Sequence, residues 1–122
     1  MTISVLAVDD SRTMRSMLSM VLTKAGFTVA LAEDGQHGLD ALKDVKPDVV
    51  ITDINMPRLD GFGFIEAVRE QSQFRGLPIL ILTTESAPAL KARARDSGAT
   101  GWIVKPFDED KLVSAIHRVV AG

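Results

Sequence analysis

The chain has 122 residues, no cysteine, and 16 acidic against 14 basic side chains, for a formal net charge of -2. Disulfides and thiolate metal sites are excluded, and nothing in the charge balance draws the chain toward nucleic acid or anionic membrane. Its apolar runs fall far short of a spanning helix, and Met1-Thr2-Ile3-Ser4 lacks the basic and long apolar segments of a signal peptide. A chain of this length buries a core without staples, so the expectation is one domain over residues 1–122, cytoplasmic and monomeric, with no membrane partner.

Short β-branched runs alternate with amphipathic stretches. A first strand is expected over residues 4–8. A helix over 11–25 follows, with Met14, Leu18, Val21 and Leu22 at helical spacing and Gly26 as its stop. A second strand covers 28–32. Asp34 can cap a second helix that turns Leu39 and Leu42 inward, and Pro47 ends that connection. The third strand is expected over 49–53. Asp60-Gly61 opens a third helix with the stripe Phe64, Ile65 and Val68. A fourth strand covers 79–82. Pro88 suits the first turn of a fourth helix, which stops at Gly98. A fifth strand covers 101–104, and Asp108 caps a last helix carrying Leu112, Val113, Ile116, Val119 and Val120.

Five such strand–helix units imply an α/β fold: a doubly wound, five-stranded parallel sheet with helices on both faces. The flavodoxin-like order 2-1-3-4-5 is adopted from known folds of this class. It sets strands one and three side by side at the switch point, where ligands bind outside the carboxyl ends of the strands.

Four apolar runs end in polar groups. Val5-Leu6-Ala7-Val8 meets Asp9-Asp10, and Val49-Val50-Ile51-Thr52 meets Asp53. Ile79-Leu80-Ile81-Leu82 meets Thr83-Thr84, and Trp102-Ile103-Val104 meets Lys105-Pro106. A carboxylate at the end of a buried strand is costly. Three carboxylates in one pocket repel each other, and a divalent cation resolves the conflict. Oxygen donors without His or Cys favour Mg²⁺, with Mn²⁺ as a substitute. A carboxylate is also a nucleophile able to form an aspartyl phosphate. Lys105 and a Thr83 hydroxyl could then stabilise the phosphoryl oxygens. Each piece has a plainer reading. Asp9-Asp10 could cap the first helix, Asp53 could open a turn, Thr83-Thr84 could be loop, and Lys105 a solvated charge. Taken jointly, the four ordered ends read as one site.

The set Val8-Asp9-Asp10-Ser11, Asp53-Ile54-Asn55-Met56-Pro57, Asp60-Gly61, Thr83 and Lys105-Pro106-Phe107 resembles the receiver domain of two-component response regulators. The resemblance spans essentially the whole chain. Thr13-Met14-Arg15, Asn55-Met56-Pro57 and Glu85 are similar to the stand-alone, CheY-like chemotaxis type. It implies that Asp53 accepts phosphate from a CheA-like histidine kinase or a small phosphodonor. It implies Mg²⁺ on Asp10, Asp53 and the Asn55 backbone carbonyl, with Asp9 acting through water. Lys105 would pair with the phosphoryl group, beside a cis peptide before Pro106. Thr83 would swing toward the phosphate, and Trp102 would be the aromatic switch. Asn55 and Glu85 would tune hydrolysis. Two residues depart from the pattern: Trp102 is larger than the usual Tyr or Phe, and Thr84 replaces a small residue. Trp102 also reads simply as a partly exposed aromatic, and Asn55 and Glu85 as loop residues.

The resemblance further implies a signalling switch rather than an enzyme, with intrinsic self-phosphorylation and autodephosphorylation. The chain stops soon after the last helix, so no output domain is expected, and output falls to a partner protein. A flagellar motor switch is favoured, a phosphatase is a further candidate partner, and a phosphorelay or phosphate-sink role is the alternative. Lys91, Arg93 and Arg95 read either as a solvated face or as part of a docking surface on helix four, strand five and helix five. His37 and His117 read as solvated helix residues, and Met14, Met17 and Met20 as core or helix surface. An aspartate-nucleophile phosphatase would place Asp-x-Asp after strand one, which this chain lacks. A flavin carrier would need a phosphate loop there, where Asp9-Asp10 repels phosphate.

Overall fold

A computed structural model describes residues 2–121. The elements run β1 (Ser4–Val8), α1 (Arg12–Lys24), β2 (Thr28–Ala32), α2 (Gly35–Val45), β3 (Val49–Thr52), α3 (Gly61–Glu70), β4 (Ile79–Thr83), α4 (Pro88–Ser97), β5 (Gly101–Val104) and α5 (Glu109–Ala121). The strands form one parallel sheet in the order β2-β1-β3-β4-β5, as expected.

Strand alternation splits the core in two. Leu6, Val8, Val50, Ile79 and Ile81 face one side, where α2, α3 and α4 cover them with Leu42, Phe64, Ile65, Val68 and Ala94. Val5, Ala7, Val49, Ile51, Leu80 and Leu82 face the other, under Leu18 and Leu22 of α1 and Leu112 and Ile116 of α5. β1, β3 and β4 are therefore apolar on both faces, which is why they read as continuous runs. β5 is different. It is an edge strand bonded only to β4, and its residues are half-buried or exposed.

Local chemistry sets the boundaries. Ser11, not the Asp9-Asp10 pair, caps α1, its hydroxyl accepting from the Met14 N–H. Asp34, Asp60 and Asp108 accept from the N–H groups of His37, Gly63 and Lys111 at the starts of α2, α3 and α5. Pro88 opens α4, and Gly98 closes it at φ +109°. β3 ends at Thr52, one residue short of the expected bound, and β4 extends to Thr83. A 3-10 turn, Ser72–Phe74, was not legible in the sequence.

Candidate functional site

The carboxyl ends of β1 and β3 lie side by side, and their ladders run on into the acidic residues. The Asp53 N–H donates to the Val8 carbonyl at 3.0 Å, and the Asp9 N–H donates to the Ala32 carbonyl at 3.0 Å. Asp9 is 1% exposed, Asp53 half-buried and Asp10 exposed. One carboxylate oxygen from each lies within 4.8 Å of the other two.

Backbone donors orient two of these groups. Asp9 Oδ1 accepts from the Ser11 N–H at 2.9 Å, and Asp53 Oδ1 accepts from the Ile54 N–H at 2.6 Å. The Asp9 carbonyl accepts from Arg15 Nη1 at 2.7 Å. Lys105 reaches in from the end of β5. Its Nζ donates to Asp9 Oδ2 and Asp53 Oδ2, at 2.8 Å each. The Lys105 N–H donates to the Thr83 carbonyl, and the Lys105–Pro106 peptide is cis, as the resemblance implied. Burial pushes the ammonium's pKa down, but hydrogen bonds and charge from Asp53 and Asp9 outweigh it and leave the pKa raised.

One ammonium against three formal carboxylates leaves the cluster negative. Its donors are hard oxygens, with no His or Cys in the cluster. The residues therefore fit a divalent cation of the Mg²⁺ kind. A cavity of about 730 Å³ lies elsewhere, between β5 and α5, and none of the acidic cluster lines it. The site is instead an open edge defined by its charges.

A polar path leaves this edge. Thr83 is fully buried, and its Oγ1 accepts from the Glu85 N–H at 3.4 Å. The Glu85 carbonyl accepts from Trp102 Nε1 at 3.0 Å. Trp102 is partly buried on β5, so its indole is tied to the β4–α4 loop rather than loose in solvent. Asn55 and Thr84 are exposed.

Other expected roles sort simply. His37 Nδ1 accepts from the Glu33 N–H, and His117 lies against Phe27 with ring centroids 5.3 Å apart; both are exposed and outside the site. Met17 and Met20 are exposed on α1. Lys91, Arg93 and Arg95 are all exposed on α4, and the Arg93 guanidinium sits 4.1 Å over the Phe62 ring. Arg15, Arg58 and Phe62 carry contacts that sequence reading missed. Lone arginines in turns and helix starts give no periodic signal.

A doubly wound parallel sheet with an acidic cluster and one lysine at its switch point defines a receiver-type α/β domain. The response regulator receiver domain family matches residues 5–117, and the chain belongs to that family. The probable chemotaxis protein CheY of Rhizobium etli is 40% identical over 118 residues, spanning 96% of this chain and 92% of the relative. The chemotaxis response regulator CheY4 of Vibrio cholerae superposes with a TM-score of 0.91 at 46% identity, covering 98% of this chain and 99% of that one. The sensor histidine kinase CheAY of Helicobacter pylori is 36% identical over 118 residues, which are 95% of this chain and only 15% of the kinase. No helix among the described residues is long and apolar enough to cross a membrane.

Proposed function

We propose that this receiver domain is a phosphorylation-controlled switch in which Asp53 accepts a phosphoryl group from a histidine kinase. The observation that supports this most is Lys105 Nζ held 2.8 Å from both Asp9 and Asp53 beside the acidic cluster. An Asp53 carboxylate oxygen attacks the phosphorus of a phosphohistidine. The new P–O bond forms as the P–N bond breaks, and the electron pair leaves with the imidazole. With acetyl phosphate, the bond broken is the P–O bond to acetate.

Asp10, Asp53 and the Asn55 carbonyl would hold Mg²⁺ directly, and Asp9 would hold it through a water. When bound, Mg²⁺ supplies charge stabilisation to the phosphoryl oxygens. The chain's own residues do the rest. Phosphorylation takes the negative charge off the Asp53 oxygen and places it on the phosphoryl group, and Lys105 follows it. The Thr83 hydroxyl turns to donate to a phosphoryl oxygen and gives up the Glu85 N–H. Glu85 and Trp102 then redistribute between two arrangements. Asn55 and Glu85, two positions past Asp53 and Thr83, tune water access to the acyl phosphate. The protein is a switch with self-phosphorylation and autodephosphorylation chemistry rather than a turnover enzyme.

The output surface is α4, β5 and α5, with Lys91, Arg95 and Trp102 on it. The CheY-named relatives support a chemotaxis role, with a flagellar motor switch as the receiving partner. Similarity to a segment of CheAY supports a second reading, a phosphate sink or relay. Incubation with Mg²⁺ and acetyl phosphate should add one acid-labile phosphate, absent in Asp53→Asn and in chelator. Equal labelling of Asp53→Asn refutes the acceptor assignment, and labelling in chelator refutes the metal role.

A further inference from the structure

The loop from Asp53 to Gly61 carries Asn55 and joins the acceptor to α3. It is closed at its base and pinned at its tip. At the base, the Gly61 N–H donates to the Ile54 carbonyl at 2.7 Å. At the tip, Arg58 has φ +66°, a left-handed conformation that disfavours any residue with a Cβ.

Two contacts hold that conformation. Arg58 Nε and Nη2 lie 2.8 Å and 2.7 Å from the same oxygen, Asp34 Oδ2. The Leu59 carbonyl accepts from the Gly35 N–H at 3.1 Å, and a Cβ on Gly35 would collide with that carbonyl oxygen. Asp34 is itself held on its other oxygen. It is 3% exposed, and its Oδ1 accepts from the His37 N–H at 2.8 Å at the start of α2. A buried carboxylate needs a charged partner, and among the described ion pairs Arg58 is the one it has. The loop tip is therefore tied to the start of α2, which like the acceptor lies past the carboxyl end of a strand of the parallel sheet.

We infer that Asp34 and Arg58 are positioning residues: their fork holds the 53–61 loop in the shape that presents the Asn55 carbonyl and the Asp53 carboxylate to a divalent cation. The inference rests on the Mg²⁺ reading above and names residues outside the acidic cluster as its support. Outer partners of metal ligands set ligand orientation in the same way.

Mg²⁺ alone is titrated calorimetrically into the parent and into Arg58→Ala, Arg58→Gly, Arg58→Lys and Asp34→Asn. Amide exchange of Gly35 and Gly61 is followed by NMR without metal. Arg58→Ala should bind Mg²⁺ ~10-fold more weakly, and its Gly35 amide should exchange faster while β1 and β4 keep parental protection. Arg58→Gly should lose affinity too. It removes the fork but relieves the left-handed backbone, and parental protection of β1 and β4 amides in the same variant separates lost affinity from lost folding. Arg58→Lys keeps the charge without the fork and should fall between. Affinity within about twofold of the parent in Arg58→Ala and Arg58→Gly overturns the inference, even where Gly35 exchanges faster; the pair is then only a tie on α2. A parent that takes up no Mg²⁺ overturns the metal reading itself, a failure visible before any variant is compared, and the inference falls with it.

Discussion

Replacing Lys105 with Met keeps the apolar stem and removes the ammonium. The change deletes two charge-assisted hydrogen bonds, each 2.8 Å long. The Lys105 side chain is 10% exposed, and the carboxylates it leaves behind are 2% exposed at Asp9 and 13% at Asp53. Breaking a buried pair on one side costs about 3–5 kcal/mol. Asp53 opens toward water, so the low end applies, ~3 kcal/mol. At an unfolding entropy of about 2.1 cal/mol/K per residue over 122 residues, that lowers Tm by about 12 °C. Calorimetric unfolding in chelator measures it.

Two controls sharpen the reading. The pKa of Lys105 is raised in the folded state. Its pairing contribution is thus fully present below the unfolded lysine value and lost as pH rises through the folded one. The gap between parent and variant should stay flat from about pH 6 to 8 and narrow only above about 10.5. Mg²⁺ should also narrow it, because the variant cluster carries more uncompensated charge and gains more from the cation. A Met variant unfolding within about 3 °C of the parent in chelator would refute the claim that the Lys105 ion pairs stabilise the fold.

Gly61→Ala should destabilise by ~3 kcal/mol and slow Asp53 labelling, because its Cβ would overlap the Asp53 carbonyl oxygen and lie 2.8 Å from Ile54 Cα, both backbone. Gly76→Ala, with nothing within 4 Å of its Cβ, should leave Tm unchanged or slightly raised; equal effects of the two in thermal melts would count against the close approach. Burial pushes the Asp34 carboxyl up, but the His37 N–H and the Arg58 hydrogen bond and charge outweigh it and leave the pKa lowered. Its contribution is present above the ordinary carboxyl pKa and lost as pH falls through the lowered value, so Asp34→Asn should trail the parent in chemical denaturation at neutral pH and converge with it in acid.

Much of this was legible because apolar runs and caps are local. The runs Val5–Val8 and Ile79–Leu82 gave their strands, and Asp34, Asp60, Pro88, Gly98 and Asp108 bounded helices within a residue or two. The acidic cluster was readable because a parallel sheet gathers strand ends whatever the loops do. Sequence periodicity could not show that Ser11 rather than Asp9 caps α1, since neighbouring polar residues compete for the same N–H groups. Nor could it show that Arg58 reaches Asp34 across 24 positions, or that the Trp102 indole finds the Glu85 carbonyl. Those are long-range side-chain contacts, decided by packing.

The place of β5 in the sheet has a mechanical consequence. β1, β3 and β4 are each laced to two neighbours, whereas the edge strands β2 and β5 are each laced to one. Yet β5 leads directly into Lys105, the residue that bridges Asp9 and Asp53, and carries Trp102 three positions earlier. In the proposed switch, the group that follows the charge is thus mounted at the end of a singly laced strand. Under that proposal, charge placed at the end of doubly laced β3 would act on a strand held to the sheet along one side only.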